Sequence, residues 1–129
     1  MKRFFIVVLL ISLISFVSCK KEYGGLQLGT YCGSTVDGMV NIELLTDDHC
    51  VLYITGGPEK SGYWRVREDG SIYLSGTIYT SERITSSNYH LLSFSAYDQG
   101  KILSNTSFIV HYERDYDKGQ HPLTLTRRK

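Results

Sequence analysis

Residues Ser61 to Tyr79 read SGYWRVREDGSIYLSGTIY, and the fold follows from how they alternate. Trp64 and Val66 fall between Tyr63, Arg65 and Arg67. Past Glu68-Asp69-Gly70, the residues Ile72, Leu74, Gly76 and Ile78 fall between Tyr73, Ser75, Thr77 and Tyr79. Successive strand side chains point to opposite faces, so each segment has one dry face and one wet face. An Asp-Gly step between two such runs is a strong β-hairpin signal. A lone hairpin is at best marginally stable in water, so its apolar face needs further strands to bury against.

Outward from the hairpin the same grammar repeats. Leu26 to Gly33 reads as a first strand, with Leu26, Leu28, Thr30 and Cys32 on one face. Met39 to Thr46 sets Val40, Ile42 and Leu44 against Asn41, Glu43 and Leu45. His49 to Thr55 sets Cys50, Leu52 and Ile54 against Val51 and Tyr53. Asp37-Gly38, Asp47-Asp48 and Gly56-Gly57-Pro58 punctuate these runs as turns. After a polar gap from Thr80 to Ser87, Asn88 to Tyr97 carries Leu92, Phe94 and Ala96 on one face, and Asp98-Gln99-Gly100 reads as a turn. Lys101 to Glu113 reads as one long strand with Phe108, Val110 and Tyr112 aligned. Arg114 to His121 is a charged loop, and Pro122 to Arg127 is the last strand, with Leu123 and Leu125 inward.

No window past the N-terminal segment has the three-and-four spacing of a helix, and no connection is long enough for parallel pairing. The expectation is an all-β single domain over residues 26–129, an antiparallel eight-stranded meander. Closure into a small up-and-down barrel would remove the exposed edges, with a two-sheet β-sandwich as the alternative. Trp64, Phe94, Phe108 and the branched aliphatics pointing inward predict a filled interior.

The N-terminus is different in kind. Lys2 and Arg3 precede an apolar run from Phe4 to Leu10 that continues through Val17. It is shorter than the roughly 20 residues that span a bilayer and ends at a small residue, which predicts a secretory signal peptide over residues 1–18. Phe16-Val17-Ser18-Cys19 resembles the bacterial lipobox, and that resemblance implies that Cys19 becomes a diacylglycerol-modified N-terminus. Residues 19–25 are then the lipidated cysteine and a flexible tether, KKEYGG. Acyl chains each contribute roughly 0.8 kcal/mol per buried methylene, so more than one anchors a soluble domain durably.

Without Lys2 and Arg3 the chain carries twelve basic and thirteen acidic side chains, a balance that supplies no electrostatic attraction for nucleic acid. Assigning Cys19 to lipid leaves Cys32 and Cys50 as a disulfide or as two buried thiols. An envelope location permits the bridge. Strands that are neighbours-but-one lie about 9.5 Å apart, beyond the ~7 Å Cα limit, unless strand ends or barrel curvature close the gap.

Gly29-Thr30-Tyr31, Gly62-Tyr63-Trp64 and Ile72-Tyr73-Leu74 together carry a second resemblance. The chain is similar to the lipocalin-like small lipoproteins of Bacteroidetes-type bacteria, across most of Leu26 to Thr126. That implies a barrel held in the cell envelope. Lys20 stands where, in the enteric lipoprotein pattern, an aspartate would signal inner-membrane retention, so the outer membrane is implied by resemblance.

Candidate chemistry is sparse. Asp47, Asp48, His49 and Cys50 are consecutive and so alternate faces, which does not converge on a metal. Asp115 and Asp117 lack the ligand spacing of a calcium loop. His90, Ser93 and His111 occur without a nucleophile-elbow signature. No catalytic residue, metal or cofactor is therefore expected. Tyrosine is the compositional outlier, with ten in the chain. Tyr63, Arg65, Arg67 and Tyr73 share the wet face of the hairpin, and tyrosine with arginine is the pairing that binding hot spots favour. The expected function is a non-catalytic, lipid-anchored envelope protein that binds a small ligand, glycan or partner protein. The alternative is an inhibitor or accessory subunit acting through a projecting loop, Gly56 to Gly62 or Arg114 to His121.

Overall fold

The computed structural model describes residues 25–81, 90–95, 97, 99–117 and 119–128. The expected signal peptide, Cys19 and all of the tether except Gly25 lie outside them, as do residues 82–87 of the polar gap, residues 88, 89 and 96 of the expected strand after it, and Asp98 of the expected turn. Nine strands follow one another: β1 (Gly29–Thr35), β2 (Gly38–Leu44), β3 (His49–Ile54), β4 (Lys60–Val66), β5 (Ser71–Tyr79), β6 (Leu91–Phe94), β7 (Gln99–Ser104), β8 (Ser107–Arg114) and β9 (His121–Arg127). No helix occurs among the described residues.

Pairing is antiparallel throughout and runs round a closed ring. β1 to β5 pair in chain order, and β9 returns to β1 through Tyr31↔Arg127 and Cys32↔Thr126. β6 and β7 share a single position in that ring. β6 pairs with the C-terminal half of β5, from Gly76↔Phe94 to Tyr79↔Leu91, and β7 with its N-terminal half, from Ser71↔Lys101 to Tyr73↔Gln99. Both then pair with β8. Nine strands thus make the eight staves of a closed up-and-down barrel, lipocalin-like in order. Closure excludes the sandwich.

Two details differ from the pattern-based reading. Lys101 to Glu113 is not one strand but the β7–β8 hairpin, and Gln99-Gly100 lies inside β7 rather than in a turn. The polar run Ser104-Asn105-Thr106-Ser107 makes the real turn: the Thr106 amide donates to Ser104 Oγ at 3.2 Å, and the Ser104 and Ser107 hydroxyls bond at 2.8 Å. The phase of β1 is also reversed. Tyr31 and Gly33 face inward, whereas Cys32 lies opposite Asn41 on the outer face. Tyr31 can be fully buried because its hydroxyl donates to the Gln27 carbonyl at 2.7 Å and reaches the Asn105 carbonyl at 3.3 Å. A buried hydroxyl without a partner would cost about 1–3 kcal/mol.

The interior is filled by side chains, as an eight-stave barrel permits. Ile42, Leu52, Trp64, Ile72, Leu74, Leu92, Phe94, Phe108 and Leu125 belong to one buried cluster. Tyr31 and Phe108 stack at 5.1 Å between centroids, tilted by 52°. Leu26 is buried in the same cluster, where the Gln27 amide bonds the Asn105 carbonyl. The chain therefore enters at the rim that carries the β2–β3, β4–β5 and β7–β8 turns.

Candidate functional site: an aromatic and arginine groove on the barrel wall

The hairpin that decides the fold also builds the most distinctive surface. Trp64 and Leu74 point inward, which forces Tyr63, Arg65, Tyr73 and Ser75 outward on β4 and β5. The register sets Tyr63 opposite Ser75 and Arg65 opposite Tyr73. On the other side of β4, His49 stands opposite Tyr63, with their rings 5.3 Å apart. The Arg67 guanidinium lies over the Tyr73 ring, 5.2 Å from its centroid. An open groove of about 640 Å³ runs along this wall, lined by Asp48, Tyr63, Arg65, Arg67, Tyr73 and Tyr97, with Ser75 and an edge of Trp64. Tyr97 is 95% exposed and Tyr63 62% exposed, large aromatic areas left to water.

The groove is held from beneath. The buried Trp64 indole N–H donates to the carbonyls of Leu45 (3.0 Å) and His49 (2.9 Å), and its amide donates to the Asp48 carbonyl. These bonds tie β4 to the turn in which Asp47 and Asp48 both adopt positive φ, 60° and 61°. At the other turn Gly70 takes φ +83°, and Asp69 accepts hydrogen bonds from the Ser71 hydroxyl and amide. Those bonds, the hydroxyl one foremost, hold the Asp69 carboxyl below its usual range. Asp69 is thereby committed to the turn. No carboxylate forms an ion pair with Arg65 or Arg67 among the described residues.

All four surface residues expected from the sequence come together here. Tyr97, Asp48 and His49 join them only through the fold. Nothing local to Tyr97 signals this; it arrives because the stave made of β6 and β7 is interrupted beside β5.

The cysteines are unbridged: both Cys32 and Cys50 are free thiols. They stand on β1 and β3 with β2 between, Cys32 turned outward and Cys50 inward. The Cys32 thiol donates to Asn41 Oδ1 at 3.1 Å, while burial pushes the Cys50 thiol up to about 12. Of the two alternatives the fold holds the free thiols, but only Cys50 is buried; Cys32 is half-buried because the phase of β1 turns it outward.

A second polar cluster occupies the opposite rim. Arg114 pairs with Asp117 and donates to the Tyr116 hydroxyl at 3.0 Å. That hydroxyl donates to the Asp37 carboxylate at 2.9 Å, and His121 Nε2 meets Asp117 at 3.1 Å. The hydrogen bond from Arg114, followed by that of His121, holds the Asp117 carboxyl below its usual range. This network stiffens the β8–β9 loop and ties it to the β1–β2 turn, whose tip residue Val36 is 80% exposed. Among the described residues, no three His, Cys, Asp or Glu side chains converge as a metal site would require.

Comparison with protein-family models, with curated proteins and with solved structures finds no match.

Proposed function

We propose that this chain is a non-catalytic lipoprotein of a bacterial cell envelope. In this reading it is anchored through Cys19, is located at the outer membrane, and binds its ligand on the barrel wall. The observation that carries the binding part is the groove of Tyr63, Arg65, Arg67, Tyr73 and Tyr97 on a rigid sheet. With the interior packed by its own side chains, recognition belongs to the outer surface. Aromatic rings on a sheet are already ordered before binding, so less conformational entropy is lost when a ligand lands on them. The ligand is then a glycan, small molecule or partner protein presented to that wall.

The anchor is compatible with this geometry. The six residues after Cys19 reach at most about 20 Å. They would therefore hold the rim at Gly25 and Leu26 close to the bilayer, with the groove on the flank above it.

A second reading, an inhibitor or accessory subunit, is favoured by one observation. The β8–β9 loop is braced by Arg114, Tyr116 and Asp117 and so is a stiff projection. The two readings predict different sensitive residues. Capture of envelope glycans and proteins by the full chain is expected to be lost in Tyr63→Ala/Arg65→Ala. Capture that survives this pair but fails in Tyr116→Ala would replace the groove by the loop. Incorporation of labelled fatty acid into wild type, and none into Cys19→Ala, tests the anchor; equal labelling of both would refute it.

A further inference from the structure

The groove has an electrostatic character that its aromatic lining alone does not explain. Arg65 and Arg67 both reach it, yet neither forms an ion pair with a carboxylate among the described residues. Arg67 is kept in place by the face of Tyr73; Glu68 follows it directly without forming an ion pair to it, and Asp69, which feels its charge, spends its hydrogen bonds on Ser71. Lys101 lies outside the groove, in the neighbouring depression that Asp69 also lines. It lies opposite Ser71 on β7, one step nearer the rim than Tyr73, and likewise forms no ion pair. Two exposed guanidinium groups beside exposed aromatic rings make a wall whose complement is a ligand with both an apolar face and negative charge.

We propose that the groove takes an acidic saccharide. The inference rests on the wall-binding reading above and names its ligand class. A pyranose presents a flat face of C–H groups that suits the exposed rings of Tyr63 and Tyr97. A carboxylate or sulfate on that sugar suits the paired donors of a guanidinium, which meet two oxygens of such an anion in a two-point fork. Asp48, at the groove's other side, accepts hydrogen bonds from sugar hydroxyls. An extended peptide fits less well. β3 pairs β4 as far as Tyr63, and β5 is paired by β7 up to Tyr73 and by β6 from Gly76, so the openings left are only a few residues long, too short for a peptide strand to join.

The test measures binding to the full chain in detergent by calorimetry. The probes are an oligogalacturonate, its methyl ester, a sulfated heparin oligosaccharide of similar length, and polyglutamate. The expected result is binding of the oligogalacturonate or the sulfated oligosaccharide, with the arm that binds naming the source of the charge. Binding should weaken with salt and fall on the order of tenfold or more in Arg65→Gln/Arg67→Gln and in Tyr63→Ala. Arg65→Lys should fall between wild type and Arg65→Gln. The exposed positions of Tyr63 and Arg65 make it straightforward to verify, from an unchanged unfolding midpoint, that the variants are folded. Polyglutamate bound as tightly as the saccharides would overturn the proposal, because charge alone would then suffice. The methyl ester bound as well as the acid, with both lost in Tyr63→Ala, would overturn the acidic class and leave a neutral-glycan groove. No saccharide binding at all would overturn the acidic class, with the groove's response to protein partners then deciding the wider reading.

Discussion

Cys50 shows how a single side chain couples this barrel to its surroundings. Its thiol is buried between Leu52 and the backbone at Gly62, and burial raises it from 9.0 to about 12. A group raised in the folded state keeps its full contribution below the unfolded value and loses it as pH climbs toward the folded one. Stability should thus be level below about pH 9 and fall between pH 9 and about 12. The loss attributable to this thiol is at most about 4 kcal/mol. Tyr31 and Tyr112, also raised mainly by burial, act in the same direction at higher pH. Urea midpoints taken from pH 8 upward should show a shallower decline in Cys50→Ala, and an unchanged slope would contradict the assignment. In the native state the same thiol should resist iodoacetamide at pH 8 and react once urea unfolds the chain.

At the scale of elements, the β4–β5 hairpin was the most legible part of the chain. Its alternation and its Asp-Gly turn are local, and the structure places the turn where they indicate. The groove residues were legible for the same reason: Tyr63, Arg65 and Tyr73 share a face by period alone. Other elements were less transparent. Lys101 to Glu113 reads as continuous because the polar run Ser104-Asn105-Thr106-Ser107, where the chain turns, holds neither Gly nor Pro to mark it. The first strand was misphased because Leu26 and Leu28 suggest an inward row. Leu26 caps the rim, and the strand proper starts at Gly29, whose φ of +134° resets which side faces in. Trp64 links two elements across 15 to 19 residues, through its bonds to Leu45 and His49. Trp64→Phe leaves those carbonyls without the indole donor and opens a void, so it should cost about 2–4 kcal/mol by urea unfolding. A change under 0.5 kcal/mol, which is within the usual scatter for surface substitutions, would show that the turn does not depend on it.

For the molecule as a whole, closure is decided at one seam. β1 and β9 share two registered pairs, against six between β8 and β9. Along the rest of the seam the backbones approach so closely that a Cβ on Gly33 would sit 2.6 Å from the Thr124 carbonyl oxygen and 2.8 Å from Leu123 Cδ1. Only glycine fits. Gly33→Ala should push β9 away and cost about 1–3 kcal/mol, as overpacking does. That corresponds to a thermal midpoint lower by on the order of 10 °C for a domain of this size. Hydrogen exchange at the Arg128 amide, which donates to Thr30, should accelerate in the same variant. Unchanged exchange there would mean that closure does not depend on this contact.

What the amino-acid order determined by itself is whatever repeats every two residues: the strands, most inward faces, the hairpin and the shared side of Tyr63, Arg65 and Tyr73. Those follow from the pleat, a property of the chain within a few residues. Which strands became one stave, that β9 meets β1, that Cys32 and Cys50 stay apart, and that Tyr97 and Asp48 complete the groove were decided only by tertiary structure. They depend on the register and curvature of a closed sheet, which bring together residues tens of positions apart and leave no periodic trace in sequence.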